Sequence, residues 1–406
     1  MGIYNKVVFA GNNGKKVRSD CFISMELTKN GGIEISLKSK VKAIFGKSII
    51  KLIKDGCNFF SIENASIDIL DKGALVHVLM ARFEACVRQL MKTDLEFLPD
   101  FLEENYYSIG KDNFRFSRLY LPGNTPSMML NAGIHKPNGI ILDLEDSVSI
   151  TKKEEARLLI RNSLRAINFY GAERMVRINQ GEMGLLDLNF IVPHNVNLIL
   201  IPKCENAKQV LRIEDKIKEI FLKNKKEISK IYFMPIIESA LGVENAFEIA
   251  SSSENVVSLA IGLEDFTADL GVSRTKEARE SFYARTRIVN ACKAVGIQAI
   301  DSVFSDVADM KALEETVKVS KALGFEGMGC IHPRQIKVIN ENFAPKKDEI
   351  EKAKKIIIAF QEAEKKGLGV VSLGTKMIDP PVVKRAEKII SLAIKLKILN
   401  ENWNIN

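Results

Sequence analysis

The stretch GIILDLED, residues 139–146, carries the pattern that decides the fold. An unbroken apolar run over residues 139–142 is followed by Asp143, Glu145 and Asp146. A short continuous apolar run is typical of a strand that is covered on both faces, as in a parallel sheet. The stretch therefore predicts a buried parallel strand with acidic residues at its carboxyl end.

Seven further runs repeat this design, and segments with helical periodicity separate them. They are RFSRLYLPG from Arg115, RMVRIN from Arg174, NLILIPK from Asn197, YFMPIIES from Tyr232, VVSLAIGLED from Val256, QAIDSV from Gln298 and GMGCIHP from Gly327. Eight β runs with helical spacers are the number that a closed (β/α)8 barrel requires. We therefore predict an α/β fold, a (β/α)8 TIM barrel, over residues 114–345.

The segments on either side of the predicted barrel differ from it in pattern. Residues 1–92 combine strand-like runs at 21–27, 32–36 and 66–70 with helical periodicity over 39–53 and 71–92, which predicts a small α+β domain. Residues 93–113 are expected to form a linker. Residues 346–406 predict a helical lid segment: a helix stopped at Gly367, the loop VVSLGTKMIDPPV and a last helix over 383–399.

The composition excludes several classes of function. The net charge is +8, but lysines alternate with glutamates at helical spacing, and arginines do not cluster with aromatics, so we expect no nucleic-acid partner. No stretch is long and apolar enough to span a bilayer, and the first residues lack the pattern of a signal peptide. The six cysteines form no C-x-x-C pair, which argues against zinc and for reduced thiols. We expect a cytoplasmic protein without a membrane partner.

Charged residues follow most of the predicted strands. After Asp143, Glu145 and Asp146 come Arg177, Lys203, Glu238, Asp265, Asp301 and His332, each near the end of its run. The active site of such a barrel lies at the carboxyl ends of the strands, so a ring of these side chains is a candidate site. Carboxylates without cysteine or histidine clusters suit Mg²⁺. The alternative is a set of buried salt bridges, for instance from Arg177 to Glu145.

Seven motifs in order carry a family resemblance. The region from Arg115 to the C-terminus resembles the citrate lyase β subunit and its relatives, the HpcH/HpaI aldolase family, through PGNTPSMM, ILDLEDSV, VRIN, LIPK, PIIES, GLEDF and CIHPRQI, and on into GLGVVSLGTKMID. The first ninety or so residues resemble the citrate lyase acyl carrier (γ) subunit, through FAG near the start, the pair Ser19 and Asp20, and DKGALVHVLMARFEA from Asp71.

The resemblance implies a reaction and a metal site. It implies that Mg²⁺ binds Glu238 and Asp265, that Arg177 holds the substrate, and that a citryl thioester is cleaved into oxaloacetate and an acetyl thioester. By position, Glu145 and Asp146 are the candidates for the general base of this retro-Claisen step. Mg²⁺ and a guanidinium are suited to polarise the forming carbonyl and to stabilise the enolate.

Three further residues are assigned by the same comparison. Arg115 and Lys203 are expected to contact the substrate, with Lys203 also a partner of the carboxylates or an ordinary strand-end lysine. Asp379 resembles a lid aspartate that reaches a neighbouring subunit's site; the alternative is a turn residue before two prolines. The chain departs from the family at Phe116 and Pro380, where relatives often have arginine and glycine.

The carrier resemblance implies a phosphopantetheine-type prosthetic group, similar to 2'-(5''-phosphoribosyl)-3'-dephospho-CoA, on Ser19. In the carrier family the modified serine often stands one residue further from the aspartate, where this chain has Arg18. A flexible arm keeps its thioester at high effective concentration while it visits two active sites. The alternative for Ser19 is a turn residue beside Asp20.

Other functions remain open at this point. One alternative is a citramalate lyase, or a lyase acting on free citramalyl-CoA or malyl-CoA, which would release pyruvate or glyoxylate. A non-enzymatic alternative is a scaffold that docks the carrier to a transferase. The resemblance also implies a homo-oligomer, trimeric or hexameric, and a citrate lyase α-type transferase subunit as partner.

Overall fold

A computed structural model describes residues 6–224, 230–367, 369–373 and 376–404 of the chain. The first unit is a four-stranded sheet in the order β1-β2-β4-β3, covered by two helices. Its elements are β1 (Val8–Ala10), β2 (Cys21–Leu27), β3 (Ile33–Ser39), α1 (Lys42–Phe59), β4 (Ala65–Asp71) and α2 (Val76–Leu90). Alternate residues of β2 and β4 are buried, as expected for a sheet with one packed face.

The second unit is an eight-stranded parallel barrel. Its strands are β5 (Ser117–Pro122), β6 (Gly139–Asp143), β7 (Glu173–Arg177), β8 (Leu198–Ile201), β9 (Tyr232–Ile237), β10 (Ser258–Ile261), β11 (Gln298–Ile300) and β12 (Met328–Cys330). Strand β12 pairs with β5, and a bridge between Asp301 and Met328 joins the last two strands. The predicted (β/α)8 fold is confirmed, and each predicted β run overlaps one strand.

Helices follow the strands of the barrel, and the longer ones cover the outer face of the strands. They are α3 (Pro126–Met129), α4 (Lys153–Ala166), α5 (Gly181–Ile191), α6 (Ala207–Lys223), α7 (Ala240–Glu244), α8 (Ala246–Ala250), α9 (Leu263–Asp269), α10 (Arg279–Val295), α11 (Met310–Leu323) and α12 (Pro333–Phe343). Local signals set their ends. Asn206 and Gln209 form a capping box at the start of α6, and Gly324 ends α11 in the left-handed conformation.

The strands are apolar on both faces because each face packs against a different layer. Inside the barrel, Ile141, Met175, Leu200, Met234 and Ile236 belong to one buried cluster. The opposite faces pack against the helices in the larger core. This two-sided burial explains the continuous apolar runs of the sequence.

The C-terminal segment contains two helices and a short hairpin: α13 (Lys347–Lys365), β13 (Val371–Leu373), β14 (Lys376–Ile378) and α14 (Pro380–Lys395). The prediction of a loop at VVSLGTKMIDPPV is wrong in part, because Val371 pairs with Ile378 across an antiparallel ladder. Leu368, Gly374 and Thr375 of the GLGVVSLGTKMID motif lie outside the described residues. The two helices form an apolar cluster of their own, apart from the barrel core.

The N-terminal unit is seated on the barrel through helices α2 and α4. Arg161 of α4 donates from both Nη atoms to Glu84 of α2, at 2.9 and 2.6 Å, and both side chains are fully buried. Arg82 of α2 binds Asp20 and lies 3.5 Å from Glu155 of α4. Buried charge pairs of this kind fix the orientation of one unit on the other, because breaking one leaves an uncompensated charge.

In the part of the chain that the structure describes, no helix has the length and apolar character needed to cross a membrane.

Candidate active site

A guanidinium held by carboxylates lies at the carboxyl ends of β6 and β7. Arg177 donates from Nε and Nη2 to the two oxygens of Asp143, at 2.7 and 2.8 Å. Its Nη1 lies 3.0 Å from Glu145 and 3.3 Å from Asp146. Burial alone would lower the pKa of Arg177, but its bonds to Asp143 raise that pKa well above the ordinary value. Arg177 is therefore a fixed, permanently charged group.

The two carboxylates after β6 have different surroundings. Glu145 is buried, and Gln180 donates to its Oε1 at 2.8 Å. Burial raises the pKa of Glu145; Arg177 opposes the rise and Asp146 adds to it. Asp146 is more than half exposed. The structure thus brings both predicted general-base candidates to one place.

Glu238, just past the end of β9, is a buried carboxylate. The main-chain N–H of Lys203 donates to its Oε2 at 2.9 Å, and Lys203 has a left-handed backbone with φ 46°. Burial is the main cause that raises the pKa of Glu238 to about 7, and the charge of Asp265 adds to it. A Cβ on Gly262 would lie 2.3 Å from Oε1 of Glu238, so the carboxylate occupies space that only glycine leaves free.

Asp265 lies in the first turn of α9, beside Glu238 in the same cavity. The ammonium of Lys203 is 3.3 Å from Asp265 and 3.9 Å from Glu145. Burial would lower the pKa of Lys203, but the neighbouring Asp265 raises it. Lys203 thus connects the carboxylate after β6 with those after β9 and β10.

These groups meet at a cavity of about 790 Å³ at the carboxyl ends of the strands. Side chains at or after the ends of six strands line it together with Arg118 from within β5. The six strands contribute Asp143, Asp146, Arg177, Glu238, Glu264, Asp265, Asp301 and His332. Glu145 and Lys203 do not line the cavity themselves, but each forms an ion pair with a lining residue: Glu145 with Arg177, and Lys203 with Asp265. Among the described residues no three acid, histidine or cysteine side chains form a ready metal cage. A pair of carboxylates such as Glu238 and Asp265 could hold Mg²⁺ together with substrate and water, which is the usual arrangement for this ion.

The structure removes Arg115 from the predicted substrate site. It precedes β5 at the amino end of the barrel, opposite the cavity, and is fully buried. Its Nε and Nη2 bind both oxygens of Glu173 at 2.8 Å, and its Nη1 binds Gln298. Its donors are used in an internal pair, so the prediction that Arg115 contacts the substrate is wrong.

Asp379 does not lie at the cavity of its own barrel. Its side chain accepts a hydrogen bond from the Val382 N–H at 3.1 Å and so caps the start of α14. This is the turn role that the two following prolines indicated. A role in a neighbouring subunit's site stays a prediction.

Ser19 lies in the loop between β1 and β2, with a left-handed backbone at φ 53°. Its N–H donates to the Lys72 carbonyl at 3.1 Å, and its side chain is partly exposed. The neighbouring Asp20 is buried against Arg82, and Asn12 of the same loop donates to the Asn124 carbonyl at 2.6 Å. Asn124 follows β5 at the carboxyl end of the barrel, so the Ser19 loop lies on the active-site side of the molecule.

Three residues that shape the site were not predicted. Asp143 was seen as a strand end but not as the anchor of Arg177. Lys153, at the start of α4, donates to the main-chain oxygens of Leu144 and Glu145 and so holds the acidic loop in place. Gly262 leaves room for Glu238. Gly262 could have been found from the sequence, because it directly precedes the L-E-D motif. The roles of Asp143 and Lys153 depend on contacts that only the folded chain makes.

Together, the closed parallel barrel and its carboxylate-rich mouth define an enzyme of the (β/α)8 class with its chemistry at the carboxyl ends of the strands. Residues 117–333 match the family described as HpcH/HpaI aldolase/citrate lyase. The chain belongs to this family and is a carbon–carbon lyase. Residues 8–90 match the ACP family described as malonate decarboxylase delta subunit (MdcD), which confirms the resemblance of this unit to a carrier.

Similar proteins share most of the barrel and the C-terminal segment. The citrate lyase subunit beta of Haemophilus influenzae is 39% identical over 69% of this chain and 97% of its own length. The mitochondrial citramalyl-CoA lyase of Mus musculus is 33% identical over 72% of this chain and 90% of its own. Among solved structures, the protein CitE from Mycobacterium tuberculosis in complex with magnesium, acetoacetate and coenzyme A has a TM-score of 0.59 at 26% identity, and covers 70% of this chain and 99% of its own.

Proposed function

We propose that the chain cleaves a citryl thioester into oxaloacetate and an acetyl thioester, with Mg²⁺ bound at Glu238 and Asp265. The observation that carries the proposal is the charge balance at the cavity. Carboxylates outnumber the cations that touch them: Asp143, Glu145, Asp146, Glu238 and Asp265 against Arg177 and Lys203. A site of this charge would repel an anionic substrate unless a cation joins it.

The residues present fit Mg²⁺. Glu238 and Asp265 offer hard oxygen ligands, and neither is closed off by an arginine. Burial and the charge of Asp265 raise the pKa of Glu238, and a bound cation would offset both causes by favouring the charged form. When bound, Mg²⁺ supplies a Lewis acid that makes the substrate hydroxyl more acidic and polarises the carbonyl that forms.

Glu145 is our candidate for the general base. Its raised pKa makes it a better acceptor for the proton of the tertiary hydroxyl, and Gln180 orients it through Oε1. As the proton moves to Glu145, the hydroxyl oxygen becomes the ketone oxygen of oxaloacetate. The carbon–carbon bond breaks, and its electron pair passes to the thioester as an enolate, which is then protonated to the acetyl thioester.

Arg177 and Lys203 would stabilise the negative charge in this step. Asp143 holds two of the Arg177 nitrogens, so the remaining Nη1 has a fixed direction before the substrate arrives. A preorganised donor stabilises developing charge without reorganisation. The Lys203 ammonium is a little over one third exposed and can contact a substrate carboxylate once Asp265 binds the metal.

The test is product identification with purified protein and two substrates, citryl-CoA and citramalyl-CoA. A malate dehydrogenase couple detects oxaloacetate, and a lactate dehydrogenase couple detects pyruvate. We expect oxaloacetate release with a higher kcat/KM for citryl-CoA. A higher kcat/KM for citramalyl-CoA would show that the substrate is a citramalyl thioester, while the proposed carbon–carbon cleavage would stand. Turnover of neither substrate, in the presence of Mg²⁺, would contradict the proposal.

The N-terminal unit is proposed to carry the thioester on a phosphopantetheine-type group at Ser19. Support comes from the match of residues 8–90 and from the side of the barrel on which the loop lies. Intact-mass spectrometry of protein from its native host tests this. We expect the mass of the prosthetic group on the wild-type chain and its loss in Ser19→Ala. An unmodified wild-type chain with full activity on free CoA thioesters would exclude the carrier role.

We further propose a homo-oligomer, a trimer or hexamer, that associates with an α-type transferase subunit in the cytoplasm. The separate apolar cluster of α13 and α14 supports a segment that projects toward a neighbouring copy. The six buried free thiols suit a reducing compartment. Light scattering after size exclusion tests the oligomer: a trimeric or hexameric mass is expected, and a monomeric mass would contradict it.

A further inference from the structure

Arg118 of β5 is a buried cation that has no carboxylate partner among the described residues. It is 1% exposed and points into the barrel interior, where its Nη1 lies 2.8 Å from Sδ of Met234. A thioether sulfur is a weak, uncharged acceptor. The Nε of Arg118 has no hydrogen-bond partner at all within the described chain.

Glu173, the buried carboxylate whose charge acts on Arg118, already has a partner. Both oxygens of Glu173 bind the fork of Arg115. The two arginines thus compete for one carboxylate at the amino end of the barrel, and Arg115 holds it. Burial lowers the pKa of Arg118 to about 10, which still leaves the side chain charged at neutral pH.

Burying a charge without a partner is costly, and proteins accept that cost mainly where a ligand supplies the partner. Arg118 lines the cavity that also contains Glu238 and Arg177. Two residues further along β5, Tyr120 lies under the guanidinium of Arg177, 5.5 Å from ring centre to guanidinium carbon. Residues two apart on a strand share a face, so Arg118 lies below Tyr120, deeper in the barrel than the charged mouth.

We propose that Arg118 binds the carboxylate of the carboxymethyl group of the substrate and so determines specificity for citryl over citramalyl thioesters. The inference rests on the proposed function, which leaves that one group to distinguish the two substrates. A guanidinium binds a carboxylate through two parallel hydrogen bonds, and Arg118 has donors free for this. The methyl group of a citramalyl thioester would leave the charge unpaired.

Substrate analogues test the inference without requiring turnover. Calorimetric titrations with oxaloacetate and with pyruvate, in Mg²⁺, are compared for the wild type, Arg118→Met and Arg118→Lys. We expect the wild type to prefer oxaloacetate. The ratio of the two affinities should fall about 100-fold in Arg118→Met and less in Arg118→Lys, which keeps the charge but loses the fork.

Arg174 provides the matched control. It is a buried arginine of β7, two strands away from β5 in the barrel; its partners are Asn195 and Tyr107, and it does not line the cavity. Arg174→Met should destabilise the fold without changing the affinity ratio. A folded Arg118→Met protein with an unchanged ratio, or a wild type that binds both keto acids equally, would overturn the inference.

Failure of the inference and failure of the proposed function give different results. If the wild type cleaves citryl-CoA but Arg118→Met keeps the preference for oxaloacetate, only the role of Arg118 falls. If the wild type cleaves neither thioester but binds oxaloacetate through Arg118, the recognition site stands and the lyase proposal falls.

Discussion

Gly262→Ala is a minimal change that disturbs the proposed metal site through sterics alone. The added Cβ would lie 2.3 Å from Oε1, 2.7 Å from Cγ and 2.9 Å from Cδ of Glu238, whereas ordinary contact begins at 3.4 Å. Glu238 must therefore retreat by about 1 Å (3.4 minus 2.3). The side chain has little freedom to do so, because it is buried and accepts a hydrogen bond from Lys203.

A displacement of about 1 Å in a reacting group costs about 100-fold in rate, or about 2.7 kcal/mol of transition-state stabilisation. We therefore expect kcat/KM to fall about 100-fold and Mg²⁺ to bind at least about 10-fold more weakly. The backbone adds no strain, because Gly262 has φ −106° and ψ 99°, a conformation that alanine also adopts, so we expect the free energy of unfolding to fall only by the overpacking cost of about 1–3 kcal/mol.

The assay is steady-state lyase kinetics together with a calorimetric Mg²⁺ titration. Gly110→Ala is the matched control, since a Cβ there would have no atom within 4 Å. If Gly262→Ala and Gly110→Ala had the same kcat/KM and Mg²⁺ affinity, the reasoning that places Glu238 at the metal would be refuted.

Three further predictions test the structure outside the mouth. Arg115→Met leaves Glu173 buried without a partner, so the free energy of unfolding should fall by about 3–5 kcal/mol in denaturant titrations while KM is kept; a raised KM at unchanged stability would restore Arg115 to the substrate site. Burial lowers the pKa of His77 from 6.5 to about 4, so below pH 6.5 the unfolded chain binds a proton that the folded chain does not. The free energy of unfolding should therefore fall by up to about 3 kcal/mol as the pH drops from 6.5 to 4, and this pH dependence should be weaker in His77→Gln. An equal pH dependence in both proteins would contradict this reasoning. All six thiols are buried and free, so a thiol reagent should label none in the native protein and all after unfolding; rapid labelling of a native thiol would contradict the packing.

The barrel and most of its mouth could be predicted because each depends on local sequence. Apolar runs closed by charged residues indicate parallel strands, and parallel strands bring their carboxyl ends to one side. That rule alone places Arg177 beside Glu145, and Glu238 near Asp265. It could not decide between a catalytic ring and salt bridges. The structure shows ion pairs around Arg177, and the catalytic role of the same residues stays a prediction.

The errors concern positions that only the folded chain determines. Arg115 was assigned to the substrate site, but β5 begins at Ser117 and leaves Arg115 at the opposite end of the barrel. The β13–β14 pair was missed because each of its strands has only three residues, too few to show a strand pattern in the sequence. The unpaired state of Arg118 follows from Arg115 holding Glu173, a competition across two strands that no local pattern encodes.

Citryl thioester cleavage with Mg²⁺ at Glu238 and Asp265 is tested most directly by comparing Asp265→Asn with Glu264→Gln. The two residues are adjacent in α9, but Glu264 pairs with Arg274, whereas Asp265 faces Lys203 beside Glu238. Citryl-CoA cleavage and Mg²⁺ binding by calorimetry are measured for both variants and for the wild type with EDTA. We expect Asp265→Asn and EDTA each to abolish oxaloacetate release. We expect Glu264→Gln to keep this activity and to bind Mg²⁺ like the wild type. Undiminished turnover in Asp265→Asn, or in EDTA, would contradict the account.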